Sequence, residues 1–181
     1  MNISAEQQRR HEEIYGKSYP PPFEFEQIAP HLWAGRNPLS APDIEQLMAA
    51  GVTHILDLRQ ESEWTAPRFG AEALDWINQR GLTRVHCKIL DMGAPDDAAL
   101  DQACAFLRAI EQDNSGVYVH CRAGMERTAA VLIAWIATSE NLDYDTALQR
   151  ARSKRAILAP LPGQERAVRR WLAAKSKTHG K

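Results

Sequence analysis

With 181 residues, 44% of them hydrophobic, and a formal net charge of -1, the chain has the size and composition of one soluble globular domain with its own core. The near balance of 22 basic and 23 acidic side chains speaks against a nucleic-acid partner, and no run of eighteen apolar residues offers a membrane span. Three cysteines without paired spacing argue against a disulfide framework, and the polar stretch 1–17 does not read as a signal peptide, so a reducing cytoplasm is the expected location.

The charge is unevenly spread. From Arg150 to the end there are ten Lys or Arg against one acid, Glu165. Such a basic face suits acidic or phosphorylated partners, although a solvated helix face explains it equally well.

In chain order, residues 1–22 form a charged extension closed by Pro20, Pro21 and Pro22, and a domain is expected over 23–175 with a basic tail at 176–181. Residues 25–28 and 32–34 read as two short strands around Pro30. Ser40, Pro42 and Asp43 supply the cap, early proline and first-turn acid of a helix that Gly51 ends. A buried strand over 53–58 follows, then a polar connection over 61–67, a helix over 69–79 and a strand over 82–90. Pro95 opens a helix whose Leu100, Cys104, Leu107 and Ile110 share one face. Strand 117–120 leads into a helix beginning near Arg127, Asp143 caps another through about Arg152, and a last one runs over 162–173. Strands alternating with helices predict a single α/β domain with a largely parallel sheet of about five strands, flanked by helices, and active loops at the C-terminal strand ends.

The densest chemistry lies between Val117 and Thr128. There a strand runs into a tight loop and then a helix carrying the apolar run 129–137, with Cys121 opening the loop and Arg127 closing it. Loop amides ahead of a helix N-terminus favour an oxyanion, and the same field lowers the pKa of a cysteine at its mouth. Cys121 is therefore the candidate nucleophile. Arg127 offers a planar fork to two oxygens of a tetrahedral anion. Thr128 places a hydroxyl beside the thiolate, His120 lies behind the loop where its ring can bond backbone groups, and Gly124 gives the loop its freedom. Arg122, Ala123, Gly124, Met125 and Glu126 form the wall that would bind substrate.

His-Cys-x5-Arg-Thr resembles the signature loop of the protein tyrosine phosphatase superfamily, and the compact chain is similar to its dual-specificity type. Residues 25–35, 49–58 and the segment from Arg152 to Gln164 resemble that type more loosely. The resemblance implies a phosphatase that uses no cofactor or metal and acts on phosphotyrosine, with phosphoserine and phosphothreonine as further candidates, in a phosphorylated protein or a small phosphomonoester; the alternative is a non-protein substrate such as a phosphoinositide, a nucleotide or a sugar phosphate. It implies attack by Cys121 and a cysteinyl-phosphate intermediate. Asp91, which follows the strand before the signature loop, becomes the general acid, ahead of Asp96, Asp97 and Glu126. Glu126 departs from the glycine common at its position, and it is expected to orient Arg127 or to select substrates.

Cys104 reads as core and Cys87 as a packed strand residue, with a disulfide to oxidised Cys121 as the alternative. His86, Cys87, His120 and Cys121 lack metal-ligand spacing. Two rivals from other classes are a rhodanese-like sulfurtransferase, which Arg127, Thr128 and Asp91 speak against, and a silent phosphate-binding module. Oligomeric state carries no signal.

Overall fold

A computed structural model describes residues 23–64 and 71–178. The extension at 1–22 and part of the polar connection lie outside them. Strands β1 (Phe25–Ala29) and β2 (Leu32–Gly35) form an antiparallel pair whose turn places His31 at φ 60°. There follow α1 (Ala41–Ala49), β3 (Val52–Asp57), a 3-10 turn at Glu61–Glu63, α2 (Ala71–Gln79) and β4 (Thr83–His86). Helix α3 (Asp97–Gln112), strand β5 (Gly116–His120) and helices α4 (Glu126–Ser139), α5 (Tyr144–Lys154) and α6 (Pro162–Thr178) complete the described chain.

The five strands lie in the order β1-β2-β5-β3-β4, parallel except for β1 at the edge. Because successive side chains alternate across a strand, β5 serves two cores. Val117 and Val119 join the core with α3, α4, α5 and α6, while Tyr118 joins the smaller one with α1 and α2. Helix α4 is buried on every side along its apolar run from Ala129 to Ala137, and Arg127 and Thr128 at its start are buried with it. It therefore carries the signature loop on a rigid central element.

Three expectations need correction. The strand read over 82–90 ends at His86, because its partner β3 ends at Asp57. Beyond it Cys87 and Ile89 remain buried, their amides donating to Asp57 and Leu58 carbonyls at 3.0 and 3.1 Å. Asp91 thus sits in a tight turn beyond β4, closed by the Gly93 amide donating to the Leu90 carbonyl at 2.9 Å with Met92 at φ 59°. Helix α3 starts after Pro95, with Asp96 as its cap accepting from the Ala99 amide at 2.8 Å. Helix α6 continues beyond Ala173 to Thr178.

Candidate active site

The parallel sheet brings the C-terminal ends of β5, β3 and β4 to one side, and the signature loop occupies the centre of that side. Cys121 directly follows β5 and is only 2% exposed. Gly124 adopts φ 66°, and a Cβ there would come within 2.1 Å of the Gly35 carbonyl oxygen, so the loop rests directly on β2. Three further bonds hold it. The Asn37 amide donates to the Arg122 carbonyl at 3.1 Å, Arg155 Nε to the Gly124 carbonyl at 3.0 Å, and the Ala159 amide to the Met125 carbonyl at 3.3 Å. Arg155 is itself buried and ion-paired with Glu26.

Burial alone would raise the Cys121 thiol pKa. The charge of Arg127, the Thr128 hydroxyl and the amides of Thr128 and Met125 outweigh it and hold the pKa below the ordinary thiol value. Among the described residues the buried Thr128 hydroxyl has no oxygen or nitrogen partner, and it is one of the groups that favour the Cys121 thiolate. His120 is fully buried, and its Nδ1–H donates to the Cys121 carbonyl oxygen at 3.0 Å. Burial pushes its pKa down to about 4, against the pull of Asp57, so the ring is neutral.

Arg127 is fixed by a residue that sequence reasoning passed over. Glu63 accepts from Nη1 at 2.6 Å and Nη2 at 2.9 Å, and the Ile89 carbonyl accepts from Nη1 at 3.2 Å. Both Nη1 hydrogens are thereby used, so an anion meets the guanidinium along its Nε–Nη2 edge. Burial would raise the Glu63 pKa, but the hydrogen bond and charge of Arg127 prevail, and the pair is ionised. The only sequence signal for Glu63 was its capping-box spacing to Gln60, whose amide donates to Glu63 at 3.0 Å.

Asp91 reaches the same place. Its Oδ1 lies 3.0 Å from Arg127 Nη2 and its Oδ2 3.2 Å from Arg122 Nη1. Asp91 thus takes the Nη2 position that the Glu63 pair leaves open. Gln164, fully buried at the start of α6, donates to the Gly93 carbonyl at 2.9 Å and so holds the segment that carries Asp91.

Asp91, Cys121, Arg122, Ala123, Met125, Glu126 and Arg127 line one cleft. Gly124, expected in the wall, packs behind it. Asp96 and Asp97 are taken up as helix cap and as partner of Arg170. Cys87 and Cys121 follow strands separated by β3, about 10 Å apart across the sheet, which is too far for a disulfide. Burial lifts the thiols of Cys87 and Cys104 to about 11 and about 12, as inert core groups. Among the described residues no group of three His, Cys, Asp or Glu could hold a metal, and no helix is long and apolar enough to cross a membrane. A cavity of about 600 Å³ lies at the far ends of α4 and α6, lined by Thr138, Tyr144 and Trp171.

The catalytic-domain model of the dual specificity phosphatases matches residues 32–173. Human dual specificity phosphatase 28 is 29% identical over 150 residues, covering 82% of this chain and 77% of the relative. Its crystal structure superposes with a TM-score of 0.69 at 27% identity, over 88% of this chain and 99% of that one. A Slingshot phosphatase homologue of Xenopus laevis is 25% identical over 156 residues, 84% of this chain but 21% of that longer protein. PTPMT1, crystallised with PI(5)P, shares the fold with a TM-score of 0.76 at 20% identity, over 86% of this chain and 99% of that one. An acidified thiol beside a buried, doubly anchored guanidinium gives that likeness its chemistry, and the chain belongs to the dual-specificity phosphatases, cysteine-dependent hydrolases of phosphate monoesters.

Proposed function

We propose that the chain dephosphorylates proteins in the cytoplasm, phosphotyrosine first and phosphoserine or phosphothreonine after it, through a cysteinyl-phosphate intermediate. The observation that carries this reading is a buried Cys121 whose thiol pKa is nevertheless held down. The thiolate, favoured by that lowered pKa, attacks phosphorus in line, the Sγ–P bond forms as the ester P–O bond breaks, and Asp91 gives its proton to the leaving oxygen. Arg127 and the loop amides take the charge of the equatorial oxygens. Water then attacks the phosphocysteine, its proton passes to Asp91, and the sulfur leaves as thiolate with Thr128 to stabilise it. Every step uses groups of this chain. Residues 23–175 supply all of them and constitute the proposed catalytic unit.

A phosphoinositide is the second reading, because PTPMT1 was crystallised with PI(5)P. Against it, the one extra cation of the loop, Arg122, is engaged by Asp91, and Glu126 adds negative charge to the wall. Hydrolysis of p-nitrophenyl phosphate in chelator at mildly acidic pH tests the chemistry. Turnover is expected in the intact protein and none in Cys121→Ser. Equal turnover in both would end the proposal. Its kcat/KM should rise with pH through a thiol pKa below the usual ~8.5.

A further inference from the structure

Glu126 opens α4 and lines the cleft beside Cys121 and Asp91. An acid in the first turn of a helix ordinarily serves the macrodipole as a charged, exposed group. Glu126 does not fit that role. It is half-buried, and among the described residues it makes no hydrogen bond and no ion pair. Nor does it orient Arg127, since Glu63 occupies Nη1 and Nη2. Burial, and after it the charge of Asp91, push the Glu126 carboxyl pKa up against the pull of Arg127 and Arg122. These three are the charged groups that face it, from its own helix, from the signature loop and from the segment beyond β4. The cleft thus holds two carboxyls. One has its oxygens held by guanidinium groups, and the other has no partner and favours its proton.

We propose that Glu126 is a second acid of this cleft, able to protonate the leaving oxygen alongside Asp91. The assignment rests on the phosphatase reading above. As the Cys121 Sγ–P bond forms and the ester P–O bond breaks, the proton on Glu126 Oε passes to the departing oxygen, leaving a carboxylate and a neutral alcohol or phenol. In the second step water attacks phosphorus, the S–P bond breaks with its electron pair returning to sulfur, and the water proton restores the Glu126 acid as inorganic phosphate leaves. Two donors at one mouth make the chain tolerant of the loss of either.

The test compares kcat across pH for p-nitrophenyl phosphate, whose leaving group departs without a proton, and phenyl phosphate, whose leaving group needs one. The proteins are the intact chain, Asp91→Asn, Glu126→Gln and the double variant. Because Glu126 makes no bond, its amide should fold normally. Asp91→Asn is expected to keep phenyl phosphate turnover within about tenfold of the intact protein, and adding Glu126→Gln to cost about a hundredfold more on phenyl phosphate but far less on p-nitrophenyl phosphate. Turnover remaining in Asp91→Asn should fall with rising pH as the Glu126 carboxyl loses its proton, and that limb should vanish when Glu126→Gln is added. If adding Glu126→Gln changes neither leaving-group dependence nor pH profile, or slows both substrates equally, Glu126 moves no proton and the proposal falls. An intact protein without activity would instead overturn the phosphatase reading, and this assignment with it.

Discussion

At the scale of single residues, the site turns on how one guanidinium is divided. Arg127 gives Nη1 to Glu63 and Ile89, leaving its Nε–Nη2 edge for an anion that is provisionally the carboxylate of Asp91. Glu63 is 4% exposed, so deleting it strands a buried cation, which costs about 3 kcal/mol or more. Glu63→Ala should therefore lose about that much stability in urea unfolding. Its kcat/KM should also drop at least tenfold, because a fork free to swing no longer meets the transition state. Lowered stability with unchanged kcat/KM would make Glu63 a structural anchor alone.

Among the elements, α6 has the least obvious task. It starts at the cleft, where Gln164 bonds the Gly93 carbonyl and accepts from the Leu161 amide at 3.0 Å, and it is tied to the first turns of α3 through Arg170 with Asp97 and Trp171 with Asp101. Gln164→Leu should free the Asp91 segment while keeping the side chain's bulk. The expected result is a kcat on phenyl phosphate reduced about tenfold with KM little changed; an equal rise in KM would place Gln164 in substrate binding instead. Elements of this kind were unevenly legible in the sequence. Cys121, Arg127 and Thr128 could be read directly because a strand, a loop and a helix carry them within a dozen contiguous residues. The apolar face of α3 was legible from its spacing, and Leu100, Cys104, Leu107 and Ile110 are all buried. The end of β4 was not, since the apolar pattern runs on to Leu90 while the paired register ends at Asp57 and His86 and only the Cys87 and Ile89 amides still bond across. Glu63 was hidden for a different reason. Its partner lies 64 positions away, and a three-residue turn among polar neighbours has no periodicity to mark the buried one.

For the whole molecule, the same sheet that assembles the site also sets how the fold responds to acid. His120 ends β5 with no exposed surface, stacked on Tyr118, its Nε2 3.8 Å from Asp57 on β3; Asp57 in turn pairs with Arg59 at 2.8 Å and Arg84 of β4 at 3.1 Å. Burial would raise the Asp57 pKa, but His120, Arg59 and Arg84 overcome it and hold it below the usual carboxylate range. Three strand ends are joined through one carboxylate. The folded chain keeps His120 neutral down to about pH 4, whereas an unfolded chain protonates it near its ordinary 6.5. Above pH 6.5 neither state holds that proton and the His120 contribution is intact. As pH falls from 6.5 to 4 the unfolded state alone gains the proton, so stability must decline, by about 3 kcal/mol for a shift of this size. Asp57 adds its own loss as pH falls through the range in which a free aspartate titrates and on below it, because there the unfolded chain alone takes up the proton. Against a typical total of about 5–15 kcal/mol, the His120 share is large enough to see. Urea unfolding at pH 7.5, 6.0 and 4.5 should show the decline, and His120→Asn, which has no proton to gain, should flatten it. A level profile in the intact protein would mean that His120 takes up its proton while folded and pairs with Asp57, making the ring behind the signature loop a cation and adding positive charge beneath the thiolate of Cys121.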